Sequence, residues 1–494
     1  MLEISKTDIV ARLQFDNPWW ESGKNCKVAF EKDPRRKYFA AFHASVIDAS
    51  IRRAIVLMGP RRVGKTVMVY HSIKELLKTG VDAQKILYVS LETPIYTGLS
   101  LEQMLGLFQE KFSHKRDSKL FIYFDEIQYL KNWEVHLKSL VDSYPDCRFV
   151  ATGSAAAALR MKSNESGAGR FSDYVLPPLT FAEYLVFINR ETELIDYTTR
   201  NDENRGTILD YSAKNVIELN AEFINYLNYG GYPEAVFSEA IRKDPGQYIK
   251  SDIIDKVLLR DLPSLYGISD IQELNRLFTT LAYNTGNEVS LDALSKSSGV
   301  AKNTIRRYIE YLEAAFLIKV VERIDQNAKR FKRAMSFKVY LTNPSMRAAL
   351  FGQVDAESTA MGALTETAIF SQWQHSRAVQ LYYARWATGE VDIVSLNGEE
   401  QKPAWAVEVK WSDRPYKSRS ELDNCVEFVK LNPKVSQPIL ITSRTITDPD
   451  VEYKGVHFLF RPASLYAYML GANLLRAVED KIRRKAPKVN KPVN

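Results

Sequence analysis

The sequence predicts an α/β fold, and three stretches predict it. Ala54-Ile55-Val56-Leu57-Met58 is a short apolar run that reads as a buried strand, and a helical stretch follows from Thr66 to Thr79, stopped by Gly80. Leu120-Phe121-Ile122-Tyr123-Phe124 is a second apolar run, ending in Asp125-Glu126. Arg148-Phe149-Val150-Ala151-Thr152 is a third strand, ending at Gly153-Ser154.

Between the first strand and its helix lies Gly59-Pro60-Arg61-Arg62-Val63-Gly64-Lys65-Thr66, which fits the phosphate-binding pattern G-x-x-x-x-G-K-[ST] in full. A strand–loop–helix unit aims backbone N–H groups and a helix N-terminus at one point, an anion site suited to a triphosphate. Gly59 and Gly64 permit the tight loop, and Pro60, Arg61, Arg62 and Val63 complete it around the nucleotide. Lys65 supplies charge to the β- and γ-phosphates, and Thr66 offers a hydroxyl to Mg²⁺. Asp125 is the expected Mg²⁺ ligand, through water, and Glu126 the residue that polarises the attacking water. Two adjacent carboxylates after an apolar run are costly to bury without a cation. Thr152 or Ser154, at the third strand's tip, is the candidate sensor of the γ-phosphate.

These segments resemble an AAA-type ATPase. Gly59–Thr66, Thr152-Gly153-Ser154, Ala168-Gly169-Arg170, Leu176-Pro177-Pro178-Leu179-Thr180-Phe181-Ala182-Glu183-Tyr184 and Gly230-Gly231-Tyr232-Pro233-Glu234 narrow the resemblance. They are similar to a widespread prokaryotic ATPase family whose C-terminal half has no assigned function, and the similarity runs from about residue 35 onward. It implies ATP and Mg²⁺ as cofactors. It also implies a homo-oligomer, as large as a hexameric ring, in which Arg170 either completes a neighbour's site or makes a local ion pair.

Composition bounds the rest. The chain has 494 residues, 45% of them hydrophobic, enough for two to four domains with ordinary cores. No apolar run approaches the roughly 18–20 residues of a membrane span, and no charged-then-apolar leader begins the chain, so a cytoplasmic protein without a membrane partner is expected. Cys26, Cys147 and Cys425 are too far apart for a cysteine-rich zinc site. The net charge of +7 permits nucleic-acid binding without requiring it. Basic residues gather at 329–333 and in the tail from Lys481.

Six segments are expected: an N-terminal extension (1–35) whose Trp19-Trp20 pair docks on the body, a P-loop ATPase core (36–185), a mostly helical lid region (186–285), a winged helix-turn-helix (286–345), a nuclease-like domain (346–475) and a basic tail (476–494). In the fourth, Ser290–Ser295 opens a helix, Ser298-Gly299-Val300 turns, a second helix runs from Lys302 to about Ala315, and Phe316–Val321 reads as a strand. The second helix of such a unit can enter the major groove of DNA, and Lys302, Asn303, Arg306 and Arg307 suit that task. A docking or structural role is the other reading.

In the fifth, Asp392 sits beside apolar strand residues in Gly389–Val394, and Glu408 and Lys410 share one face of Ala404–Trp411, with Asn397-Gly398 turning between. Glu366 lies on a helix upstream, about 358–375. These four resemble the PD-(D/E)XK nuclease fold, with Val-Asp in place of the leading Pro-Asp. The resemblance implies that Asp392, Glu408 and Glu366 bind Mg²⁺ and that Lys410 orients water or stabilises charge. The whole is then α/β: an AAA-type P-loop ATPase core with helical lid, a winged helix and a restriction-endonuclease-like C-terminal domain. DNA is the expected partner. The alternative is a nucleotide-controlled switch in defence or stress signalling, with an inactive nuclease-like fold.

Overall fold

The computed structural model describes residues 5–153, 169–202, 206–325, 336–376 and 379–485. Ser154, the basic segment 329–333 and the tail beyond 485 lie outside them. The chain divides into two units, residues 1–177 with 475–494, and residues 178–474.

In the first unit β1 (Ala54–Met58), β2 (Ile86–Ser90), β3 (Phe121–Asp125), β4 (Arg148–Gly153) and β5 (Phe171–Val175) form one sheet in the order β2-β3-β4-β1-β5. All four pairings are parallel. Parallel strands need crossovers and are covered on both faces, so they are apolar throughout, as the fully buried β1 is. β2 has no matching motif and was not legible as a strand from the sequence.

β2 is an edge strand, which exposes unpaired backbone groups unless something covers it. The N-terminal extension does so. The Asn17 amide donates to the Tyr88 carbonyl at 2.9 Å and accepts from the Tyr88 N–H at 2.7 Å. The indoles of Trp19 and Trp20 donate to the Ile86 carbonyl at 3.1 and 2.7 Å. Both rings are buried, and Trp20 stacks on Phe108 with centroids 5.3 Å apart.

The second unit is built on a nine-stranded sheet. Its strands are β8 (Glu288–Ser290), β9 (Ile318–Ile324), β10 (Ser336–Leu341), β11 (Leu381–Arg385), β12 (Glu390–Leu396), β13 (Pro403–Glu408), β14 (Ile439–Ser443), β15 (Asp448–Tyr453) and β16 (Val456–Pro462), in the order β15-β16-β14-β13-β12-β11-β9-β10-β8. A separation at 345/346 was expected, yet β8–β10 continue the same sheet as β11–β16, joined where β9 runs parallel to β11. Helices Leu291–Ser298 and Lys302–Ala314 stand between β8 and β9. Ser290 caps the first, and Gly299 ends it at φ 74°, a conformation glycine adopts without a Cβ penalty.

Residues 186–285 were expected to be mostly helical, but β6 (Ile195–Asp202) and β7 (Gly206–Ala213) form an antiparallel hairpin there. Thr198, Thr199, Thr207, Ile208 and the tyrosines at 197 and 211 favour a pleated surface, and this local preference outweighs the helical spacing around it. The Gly230-Gly231 pair is explained by packing. A Cβ on Gly231 would lie 2.2 Å from the Asn343 side chain, and one on Gly230 2.5 Å from the Tyr226 ring.

Candidate nucleotide site and a carboxylate–lysine centre

The loop from Gly59 to Thr66 leaves β1 and enters the helix Lys65–Lys78. Gly59 has φ 153°, and a Cβ there would meet the Leu176 carbonyl oxygen at 2.2 Å, so the position admits only glycine. Gly64, at φ 95°, turns the chain into the helix. Arg36, which sequence inspection missed, holds the loop from behind: its guanidinium donates to the Val63 carbonyl at 2.8 Å and the Pro177 carbonyl at 3.0 Å. Lys65 is buried and donates to the carbonyls of Gly59 and Pro60 at 3.0 and 2.7 Å.

β3 and β4 bring the acidic and hydroxyl groups to the same end of the sheet. The Thr66 hydroxyl donates to Asp125 Oδ2 at 2.9 Å, as does the Tyr88 hydroxyl at 2.9 Å. Thr152 donates to Asp125 Oδ1, and its oxygen accepts the Glu126 N–H at 3.0 Å. Glu126 stands in the left-handed region at φ 54°. Burial and the neighbouring Asp125 push its carboxyl up from the ordinary range, opposed by Lys65. The set suits a magnesium nucleotide: N–H donors at a helix start, one buried ammonium, and a hydroxyl–carboxylate pair of hard oxygen donors. Arg170 pairs with Asp142 of the helix Trp133–Ser143.

On the helix Lys302–Ala314, Ile305, Tyr308, Ile309 and Leu312 are buried while Lys302, Asn303, Arg306 and Arg307 are exposed. Lys302 pairs with Asp292, and the Arg306 guanidinium lies 3.5 Å from Asn303 Oδ1.

The second unit brings Glu366, Asp392, Glu408 and Lys410 together. The β12–β13 hairpin sets Ile393 opposite Val407, which places Asp392 beside Glu408. The Val409 N–H donates to Asp392 Oδ2 at 2.9 Å, and Lys410 Nζ lies 2.6 Å from Glu408 and 3.4 Å from Asp392. Glu366 comes from the almost wholly buried helix Met361–Trp373. Two partners were not legible in the sequence. Lys338, on β10 and 3% exposed, reaches Glu366 at 2.8 Å, Glu390 at 2.6 Å and Asp392 at 3.5 Å. Tyr340 donates to Glu366 at 2.5 Å. Both lie on an apolar-flanked strand distant in sequence from the Asp–Glu–Lys motif, and only the shared sheet joins them to it.

Four carboxylates (Glu366, Glu390, Asp392, Glu408) meet two ammonium groups and the guanidinium of Arg385, which lies 3.4 Å from Glu390, so one negative charge is left uncompensated. Burial and Asp392 push Glu366 and Glu408 up to about 7. Burial alone would also raise Asp392, but Lys410 and Lys338 hold it below the usual range. A bound proton or a cation would offset that charge, and the donors are the hard oxygens Mg²⁺ prefers. Among the described residues, however, no three His, Cys, Asp or Glu side chains are already disposed as a metal-ligand group. Lys338 lies between Glu366 and Asp392, and Lys410 between Asp392 and Glu408.

Comparison with known proteins gives two family matches. Residues 51–185 match the model of a family described as "AAA domain", and residues 220–357 that of a "Domain of unknown function (DUF8612)". The chain is 26% identical over 307 residues to an uncharacterized protein of Haemophilus influenzae, covering 61% of this chain and 70% of that one. It is 25% identical over 396 residues to an uncharacterized protein of Methanocaldococcus jannaschii, covering 76% and 80%. Among solved structures, AMPPCP-bound DnaA from Aquifex aeolicus aligns at 13% identity over 60% of this chain and 92% of that one, with a TM-score of 0.28. Cdc6p from Pyrobaculum aerophilum aligns at 12% identity over 68% and 95%, with a TM-score of 0.27. At those scores neither likeness bears on the fold. Residues 51–185 thus resemble an AAA domain. Among the described residues no helix is long and apolar enough to cross a membrane.

Proposed function

We propose that the chain is an ATP-binding, ATP-hydrolysing protein of AAA type that acts on DNA, with a Mg²⁺-dependent nuclease-like centre in its second unit. The observation that carries the nucleotide part is the convergence on Asp125 of Thr66 and Thr152, beside buried Lys65 and Glu126. Magnesium ATP would supply the phosphoryl group and its charge. Lys65 would exchange its bonds to the Gly59 and Pro60 carbonyls for phosphate oxygens. Thr66 and Asp125 would hold the cation, and Glu126 would orient water toward the phosphoryl group. Ser154 is proposed, with Thr152, to sense the γ-phosphate. Arg170 could serve a neighbouring subunit in a homo-oligomer only by giving up Asp142.

The DNA part is supported by one exposed face of the helix Lys302–Ala314, on which Lys302, Asn303, Arg306 and Arg307 lie over a buried apolar side. The order β8, helix, helix, β9, β10 suits a winged helix that offers this face to the major groove. Glu366, Asp392 and Glu408 are then the cation ligands and Lys410 the residue that steadies attacking water.

A second reading has its own support. Ammonium groups already bridge the carboxylates, an arrangement that suits an inactive nuclease-like fold and a nucleotide-controlled switch. Incubating supercoiled and linear duplex DNA with the chain under ATP and Mg²⁺ separates the two. Cuts that vanish in Asp392→Ala and Lys410→Ala, both of which keep ATP turnover, are expected for the nuclease. Intact DNA under all conditions would leave the switch.

A further inference from the structure

We propose that Tyr88 is a positioning residue for Asp125 and that the N-terminal extension, through Asn17, is thereby part of the nucleotide site. The inference rests on the magnesium-nucleotide reading above. Asp125 is 3% exposed and accepts three O–H donors. Two of these, Thr66 and Thr152, belong to motifs visible in the sequence. The third, Tyr88, lies on the edge strand β2 and shares oxygen Oδ2 with Thr66, the oxygen nearest the proposed cation ligand.

Both ends of Tyr88 are set by residues outside the motifs. Its backbone N–H and carbonyl are both engaged by one side-chain amide, that of Asn17, at 2.7 and 2.9 Å. Asn17 is fully buried and also donates to the Leu13 carbonyl at 2.7 Å, which fixes it to the helix Lys6–Asp16. The Tyr88 ring packs on Tyr70 with centroids 4.9 Å apart, and Tyr70 in turn meets Trp19 and Phe30 of the extension at 6.5 and 5.7 Å. The phenol hydroxyl donates to Asp125 Oδ2 at 2.9 Å. A carboxylate so fixed presents Oδ2 toward Thr66 in one orientation. Without Tyr88 two of the three hydroxyl donors, Thr66 and Thr152, would remain to hold it against rotation about its terminal torsion, which is broad for aspartate, so its orientation would be less tightly set. A cation bound between Thr66 and Asp125 would then have to order the carboxylate as it binds.

The test uses the full chain and a fluorescent non-hydrolysable ATP analogue, titrated with Mg²⁺ at fixed analogue concentration and also without Mg²⁺. Tyr88→Phe removes one donor to a charged acceptor and keeps the ring. It is expected to raise the Mg²⁺ concentration at half-saturation by about tenfold, while Mg²⁺-free binding stays as in the parent. Asn17→Ala, distant from the nucleotide, is expected to shift it the same way by about threefold. It serves as the second variant should Tyr88→Phe fold poorly. An unchanged Mg²⁺ requirement in a folded variant would overturn the inference while leaving the nucleotide reading intact, as would equal losses with and without Mg²⁺. A parent chain that binds no analogue under either condition would overturn the nucleotide reading itself, and this inference with it.

Discussion

Replacing Lys338 by methionine should unbalance the carboxylate–lysine centre, and the size of the effect can be worked from its geometry. Methionine keeps most of the volume and removes the charge. The ammonium lies 2.8, 2.6 and 3.5 Å from Glu366, Glu390 and Asp392 and is 3% exposed. Although burial alone would lower its pKa, Glu366, Asp392 and Glu390 hold it above the ordinary value, so the lysine is charged at any working pH. At an effective dielectric constant of about 20, two unit charges near 3 Å attract by about 5 kcal/mol. Burying the ammonium cancels much of that, and removing one partner of a buried pair typically costs about 3–5 kcal/mol. The loss should depend on pH. Glu366 is already pushed up to about 7, and without Lys338 it would take up a proton more readily still. At pH 8 the full cost of about 3–5 kcal/mol is expected, and at pH 5.5, with protons replacing the ammonium, about 1–2 kcal/mol. Calorimetric unfolding of the full chain reads this in the transition that moves with Lys338→Met and not with Lys65→Ala. Adding Glu366→Gln should recover part of the loss at pH 8. A change under about 0.5 kcal/mol, or equal losses at both pH values, would refute charge compensation by Lys338.

Four other outcomes follow from the same structure. Mg²⁺ should stabilise the second unit more at pH 8 than at pH 6, read in Asp125→Asn chains without nucleotide. Glu366 and Glu408, with pKa about 7, must release protons to bind it. In the absence of Mg²⁺ the sign reverses: these raised carboxyls favour the fold below about pH 4.5, and that contribution is lost as pH rises through about 7. Gly59→Ala should cost about 2 kcal/mol of stability and disrupt nucleotide binding, because its methyl would meet the Leu176 carbonyl. Replacing both Arg306 and Arg307 by alanine should weaken DNA binding and flatten its salt dependence by about one unit of slope per lost phosphate contact, read by fluorescence anisotropy across salt concentrations.

What the sequence made legible, and what it did not, divides along physical lines. The loop Gly59–Thr66, the strand ending at Asp125 and the strand ending at Gly153 were legible because each pairs an apolar run with a fixed local pattern. The helices on either side of Gly299 were legible for the same reason, since caps and turns act over three or four residues. β2 and the hairpin β6–β7 were not, because strand preference over five to eight residues competes with helical spacing nearby. Glu366, Asp392, Glu408 and Lys410 could be picked out through the motif they resemble. Lys338, Tyr340 and Tyr88 could not. A lysine between Phe337 and Val339 looks like a solvated strand residue, and its burial arises only when β10 joins the sheet of β12 and its head reaches Glu366. Tyr88 in an apolar strand looks like core, and its hydroxyl finds Asp125 only because β2 pairs with β3 in parallel, with Ser90 opposite Asp125. Asn17, lone and distant, gives no local signal at all.

The most direct test of the central claim is ATP turnover by the full chain in Mg²⁺, measured with and without duplex DNA, beside Lys65→Ala. Turnover that rises with DNA and is abolished in Lys65→Ala is the expected result. Turnover indifferent to every DNA offered would contradict action on DNA and favour the nucleotide-controlled switch. Turnover that survives Lys65→Ala would contradict the nucleotide site itself.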